Sequence, residues 1–209
     1  MEKKKKEKIV YAFIDAANLF YGGQKSLGWN IDYKKLLGYL KDKFNVSKAY
    51  YYAGIEAEGF TYDPLKSEFI NIQELLSFYL KTHKSPDSSV VDPILQRIKF
   101  YRNLEEFGYI LRLKPTKIFH DGARLTKKAN CDVDTTFDMM RYMSQYQEVV
   151  ALTGDGDFAI VLQYLRRKRK HVHILARGER TARDIRRIAG KYFMDFNYLR
   201  EILKFKKKA

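Results

Sequence analysis

Three features of the sequence predict an α/β fold, three layers deep, with a mostly parallel central sheet. First, β-prone runs alternate with segments of helical period along nearly all of the 209 residues. Second, Val149–Leu152 is apolar throughout, as a strand covered on both faces must be. Third, this run breaks at Thr153-Gly154 and passes into a helical pattern, Phe158 to Arg166, with Ile160, Val161, Leu162 and Leu165 apolar. Strand, glycine turn and helix is the local unit of a parallel sheet. Such sheets bind ligands at the carboxyl ends of their strands.

In chain order, Ile9–Ile14 reads as the first strand and ends in Asp15-Ala-Ala-Asn18. Leu19–Lys25 starts a helix that Gly22-Gly23 interrupts. Ile31–Phe44 puts Leu36, Leu37, Leu40 and Phe44 on one face, with Asp32 near its start, and reads as an amphipathic helix. Val46–Ile55 is the second strand. Glu56–Asp63 is a loop, Pro64 suits a first helical turn, and Leu65–Leu80 has helical spacing. Thr82–Ser89 is polar and reads as a loop. Asp92-Pro93 opens a helix over Ile94–Phe107 that Gly108 closes. Tyr109–Leu113 is the third strand, and Pro115–Lys128 is irregular. Asn130–Asp134 leads into a helix over Thr135–Tyr146. The fourth strand is Val149–Leu152 and the fifth His171–Ala176. Thr181–Ala189 is a helix with Ile185 and Ile188 on its apolar side. Tyr192–Phe196 is a short edge strand, and Tyr198–Phe205 a last helix before a lysine tail.

Hydrophobic residues make up 45% of the chain, with 16 Tyr and 14 Phe, enough for one sizeable aromatic-rich core. The lone Cys131 excludes an internal disulfide and a cysteine zinc site, and fits a reducing cytosol; a cytoplasmic location is the expectation. No apolar run approaches twenty residues, so no membrane partner is expected. Glu2–Lys8 is basic and precedes only a short apolar stretch that soon carries Asp15, which is no signal peptide.

The formal net charge is +15, and a strongly basic domain suits a polyanion, most often nucleic acid. The termini account for part of the excess. The rest lies in Arg166–Lys170 and in Arg177, Arg180, Arg183, Arg186 and Arg187. Arginine matches phosphate bidentately. Arg183, Arg186 and Arg187 are three and four residues apart, so they share a helix face. That helix follows the fifth strand, which places its start near the rim that carries Asp155. Phosphate binding is therefore expected there; the plain alternative is a solvated charged face.

Carboxylates recur at these strand ends: Asp15, then Asp132 or Asp134 at a helix start, then Asp155 with Asp157. A single Asp in such a turn caps a helix. Two of them one glycine apart, repeated from distant parts of the chain, point to a cation held by oxygen, Mg2+ or Mn2+. Such an ion activates water and stabilises the charge of an attacked phosphodiester. Lys128 would add positive charge near the scissile group, and the Asn18 amide would orient a carboxylate or a water. Asp138 lies six residues beyond Asp132, so the two need not share a face. Other chemistries lack their signatures: there is no Gly-x-x-x-x-Gly-Lys loop, no Gly-x-Gly-x-x-Gly and no serine elbow. His83, His120, His171 and His173 lack zinc-ligand spacing.

Phe13-Ile-Asp15-Ala-Ala-Asn18, Lys128-Ala-Asn-Cys-Asp132-Val with Asp138, and Thr153-Gly-Asp155-Gly-Asp157-Phe158 resemble the three motifs of NYN domains, of the LabA-like subgroup, within the PIN-like nuclease superfamily. Their order matches from about Ile9 to Leu203. The resemblance implies a Rossmann-like (PIN-like) sheet and metal-dependent RNA cleavage. It carries the catalytic and metal-binding roles to Asp15, Asp132, Asp155 and Asp157. Asn18, Lys128, Asp138 and Thr153 become supporting residues, and Asp134 falls outside the set. It implies a domain over 9–203 between basic tails at 1–8 and 204–209. An insert over 56–93 could be a lid, an oligomer contact or a substrate guide. The expected function is a Mg2+- or Mn2+-dependent endoribonuclease acting on RNA, single-stranded in this reading; a homo-oligomer is compatible with it. The alternative is a non-catalytic RNA-binding or regulatory module on the same fold, and DNA is a lesser option as substrate.

Overall fold

A computed structural model describes residues 8–20, 28–82, 92–121 and 124–206, and for 118–121 and 124–128 the backbone alone. Its central sheet has strands β1 (Val10–Asp15), β2 (Val46–Ile55), β3 (Ile110–Pro115), β6 (Glu148–Leu152), β7 (His171–Ala176) and β8 (Phe193–Asp195). All pair in parallel, in the order β3-β2-β1-β6-β7-β8. Strands β4 (Lys117–Asp121) and β5 (Arg124–Lys128) form a separate antiparallel pair. The helices are α1 (Ala16–Asn18), α2 (Tyr33–Phe44), α3 (Ile72–Thr82), α4 (Pro93–Phe107), α5 (Asp132–Arg141), α6 (Ala159–Arg167), α7 (Arg183–Ala189) and α8 (Arg200–Leu203).

Alternation along β1 builds the three layers. Val10, Ala12 and Ile14 face one way, onto a core with Leu36, Leu37 and Leu40 of α2, Ile72 and Leu75 of α3, and Ile98 and Leu104 of α4. Tyr11 and Phe13 face the other way, onto Met139 of α5, Val161, Leu162 and Leu165 of α6, and Ile185 of α7. Full burial of each large aliphatic side chain contributes roughly 1.5–3 kcal/mol. The second face also stacks Phe13 on Tyr50 and Tyr50 on Tyr142, with centroids 5.4 and 5.3 Å apart.

The covering helices change face where the strand order reverses. Chain leaving β1 and β2 crosses on the first face, and chain leaving β6 and β7 crosses on the second. A crossover between parallel strands is right-handed, so growth in opposite directions from β1 requires this switch. It opens a crevice at the carboxyl ends of β1 and β6, the place where doubly wound sheets bind ligands. Asp15 ends β1, and Thr153–Asp157 follows β6 directly.

The strands agree with the sequence reading to within two residues, and several other boundaries differ. The helix expected over Leu65–Leu80 begins only at Ile72. Asn71 Oδ1 accepts the Gln73 and Glu74 N–H groups and so starts it there. Asp63 folds its own turn by accepting Leu65 N–H, and Leu65 is exposed, so no burial draws that stretch into a helix. Pro115–Lys128 is not irregular, because most of it forms the β4–β5 pair. These strands pair only with each other, so no sheet face demanded an apolar alternation of them. Helix α5 begins three residues earlier than expected and ends at Arg141. Helix α7 begins at Arg183, because Thr181 Oγ1 donates to the Arg177 carbonyl and Ala182 N–H to the Gly154 carbonyl, which holds both residues in the loop. The last helix is a 3-10 turn over Phe196–Leu199 followed by α8. Of the stretch Leu19–Lys25, all but the first two residues lie outside the described residues, as does nearly all of Thr82–Ser89. Among the described residues, no helix is long and apolar enough to cross a membrane.

Candidate active site

The crevice is built by short-range hydrogen bonds among the residues that the motifs contain. Asp15 Oδ1 accepts the Asn18 N–H at 3.1 Å and so caps α1. Its other oxygen accepts a long contact from Thr153 Oγ1 at 3.4 Å. Asn18 Oδ1 accepts the Gly154 N–H at 2.9 Å. The Asp155 N–H donates to Thr153 Oγ1 at 3.2 Å, and Asp155 Oδ1 accepts the Asp157 N–H at 3.0 Å. Capping and site-building are therefore the same act. Asp15 and Asp155 each use one oxygen to fix their own turn, which orients the other.

Close packing explains the Gly154 position. A Cβ there would lie 2.8 Å from Thr181 Oγ1 and 3.1 Å from Thr181 Cα, so only glycine lets the loop after β7 approach. That approach brings the first turn of α7 against the Asp155 turn, as the sequence placed it. Thr181, a buried polar residue, went unnoticed in the sequence because its role is to touch a glycine.

The fold brings the distant carboxylates within electrostatic reach of one another. The Asp15 carboxyl is pushed up to about 6, first by burial and further by the charges of Asp132 and Asp155. Asp132 opens α5, where its N–H donates to Asn130 Oδ1 at 2.9 Å. Cys131 is buried beneath them. Its thiol is pushed up to about 12 by burial and by Asp134, Asp15 and Asp132, with Lys114 opposing, so it is no nucleophile at neutral pH. Asp157 stands outermost and exposed.

The donors fit a hard divalent ion in kind and in charge. They are carboxylate oxygens at a strand-end crevice, and the repulsion raising Asp15 is what a cation relieves. The side chains do not, however, close into a ready cage: among the described residues no three His, Cys, Asp or Glu converge as a metal site.

Two other carboxylates have separate work. Asp138 is fully buried and accepts Tyr52 OH at 2.9 Å, Arg112 Nε at 2.9 Å and an Arg141 guanidinium nitrogen at 2.5 Å. It belongs to an internal ion-pair network, which Arg141 extends to Glu68 at 2.6 Å. Asp134 pairs with Lys114 Nζ at 2.8 Å. The crevice thus has a basic neighbour that the sequence reading missed, because that reading ended the third strand at Leu113. The side chain of Lys128 lies outside the described positions, as does His83.

The arginines divide. Arg180, Arg183, Arg186 and Arg187 are exposed, while Ile185 is buried beneath α7. Arg177 is half-buried and donates to Glu179 at 2.5 Å and to Asn197 at 3.4 Å. Arg186 lies over the Phe193 ring, 5.4 Å from its centroid.

A family model described as the NYN domain matches residues 10–199. The chain is 30% identical over 196 residues to low amplitude and bright protein LabA of Synechococcus elongatus (strain ATCC 33912 / PCC 7942 / FACHB-805), covering 91% of this chain and 85% of that protein. Among solved structures it is similar to VPA0982 of Vibrio parahaemolyticus RIMD 2210633, a protein of unknown function. The TM-score is 0.65 at 19% identity, over 96% of this chain and 99% of the other, which shows a common fold. T5 D15 protein co-crystallized with metal ions matches at a TM-score of 0.45 and 12% identity, over 85% of this chain and 59% of the other, too distant to bear on function.

Proposed function

Because the chain belongs to the NYN domain family, we propose that it is a nuclease, and specifically a Mg2+- or Mn2+-dependent endoribonuclease of single-stranded RNA. One observation carries the reading. Three carboxylates from separate elements lie within electrostatic reach at the switch-point crevice, and burial there pushes Asp15 up to about 6. A surface that only bound polyanions would gain from losing those charges.

Asp15, Asp132, Asp155 and Asp157 would hold the ion, which when bound supplies an activated water and stabilises the phosphodiester's developing charge. The chain's own residues do the positioning. Asn18 and Thr153 fix the relative placement of the β1 and β6 turns. The exposed arginines at the start of α7, beside the Asp155 turn, bind backbone phosphates and so set where the strand lies. Lys114, held by Asp134, adds positive charge beside the carboxylates.

The absence of a closed cage among the described residues favours a second reading, a non-catalytic RNA-binding module on the same fold. Incubation of the protein with labelled single-stranded RNA in Mn2+, Mg2+ or EDTA separates the two. Internal cleavage that needs the metal and disappears in Asp155→Asn supports the nuclease. Binding without cleavage in any metal supports the module.

A further inference from the structure

Resting on the nuclease reading, we infer that the groove between α6 and α7 carries the sugar–phosphate backbone of the single-stranded substrate away from the aspartates. The groove is open, encloses about 610 Å3, and is lined by Ile160, Gln163, Arg166, Arg167, Arg187 and Ile188, among others. It starts at the site. Helix α6 follows the Asp155–Phe158 turn without a break, and the Ala182 N–H, just before α7, donates to the Gly154 carbonyl at 2.9 Å. From Ala159 to Arg167, α6 rises about 12 Å, so the groove offers a path a few nucleotides long.

Its charge is unbalanced in one direction. Three guanidinium groups line it against one carboxylate, Asp184, which is already paired with Arg187 at 3.3 Å. Arg166 donates to the Ile188 carbonyl, which bridges the two helices and fixes its guanidinium within the groove. Arg167 is exposed and, among the described residues, forms no salt bridge. Of the arginines nearer the loop, Arg177 is engaged with Glu179 and Asn197, and Arg186 touches Phe193 and the Gly178 carbonyl, while Arg180 and Arg183 stay exposed beside the Asp155 turn. At the end nearest the aspartates, Ile160 is 79% exposed. It has no packing role and offers apolar contact to a sugar or base. Three cations along one groove, Arg166 anchored among them, with an apolar contact at the chemical end fit a sugar–phosphodiester backbone.

The test is fluorescence anisotropy of a labelled oligouridylate against salt, using the full chain with Asp155→Asn in EDTA so that no cleavage intervenes. Arg167→Ala with Arg187→Ala is the informative pair, since both side chains are exposed and Arg166 is left to hold the helices. Lys99→Ala, on α4 across the sheet, removes a charge elsewhere. For two lost phosphate contacts, the slope of log affinity on log salt should fall by about 1.4, and affinity at about 0.1 M salt by roughly 25-fold. Lys99→Ala should change neither, and poly-glutamate of equal charge should compete poorly. An oligouridylate that binds the Arg167/Arg187 double variant with unchanged affinity and slope overturns the groove and leaves the nuclease reading standing. Equal competition by poly-glutamate also overturns it, because the groove would then fit an acidic protein segment. A chain that neither binds nor cleaves RNA overturns both.

Discussion

The Asn18 side-chain oxygen accepts the Gly154 backbone N–H at 2.9 Å, and this bond pins the turn after β1 to the turn after β6. Asn18 also donates its own N–H to Asp15, so one residue sets the distance between the two halves of the crevice. Asn18→Ala should leave the Gly154 N–H unmet and cost about 1–3 kcal/mol in urea unfolding. Cleavage at saturating RNA should fall further than RNA affinity, since the carboxylates move and the arginines do not. Equal losses in both would show that Asn18 only supports the fold.

The acid Asp15 gives a pH signature in metal-free protein. Its folded-state value of about 6 lies above the ordinary 3.8, so the folded chain holds this proton more tightly than the unfolded chain. Stability is then lost as pH rises through that window, by on the order of 3 kcal/mol for a shift of about two units. Asp15→Asn removes the ionisation. The variant should gain on the wild type from about pH 4 to about pH 7 in urea titrations with EDTA, and the gap should close when Mn2+ is added to the wild type. A constant difference across that range would place Asp15 in a wetter, less crowded position.

Asp138 should behave as a structural ion. Its removal leaves Arg112 and Arg141 facing a buried site without their shared partner. Asp138→Ala should cost about 3–5 kcal/mol by chemical denaturation, the usual result of breaking a buried pair from one side. The fraction that remains folded should bind Mn2+ as the wild type does. Weakened Mn2+ binding by folded protein would return Asp138 to the site.

A glycine far from the motifs should matter for a packing reason. A Cβ on Gly54 of β2 would lie 2.6 Å from Ala129 Cβ and 2.7 Å from Thr116 Cγ2. Ala129 precedes Asp132 by three residues, so Gly54→Ala would push the start of α5 outward. The expected cost is about 1–3 kcal/mol, typical of overpacking, with a loss of metal affinity that substitution of Gly38, where a Cβ would meet open space, would not cause. Isothermal titration with Mn2+ on both variants distinguishes them.

How much of this was legible in the sequence follows from how each feature is encoded. The six sheet strands were, because strands such as β1, β2, β6 and β7 carry the apolar runs that a covered parallel sheet requires. The crevice was, because Asp15 and Asp155 each follow such a run. Asp138 was legible as a motif residue but not as an ion-pair centre, since Tyr52, Arg112 and Arg141 come from β2, β3 and α5 and meet only in the fold. The late start of α3 was hidden because Asn71 caps it while the residues before it keep a helical spacing. Lys114 was hidden by a strand end drawn two residues short. Thr181 at Gly154 is a pure contact, with no periodic trace in either segment.

The central claim is that Asp15, Asp132, Asp155 and Asp157 act together on one divalent ion. Titration of the metal-free chain with Mn2+, followed by the loss of the free-ion electron paramagnetic resonance signal, tests it most directly. The expected result is saturable binding by the wild type, weakened by at least on the order of tenfold in both Asp15→Asn and Asp155→Asn, a loss that even outer-shell partners of a metal commonly cause. Lack of saturable binding by the wild type, or binding that both variants retain unchanged, would contradict it.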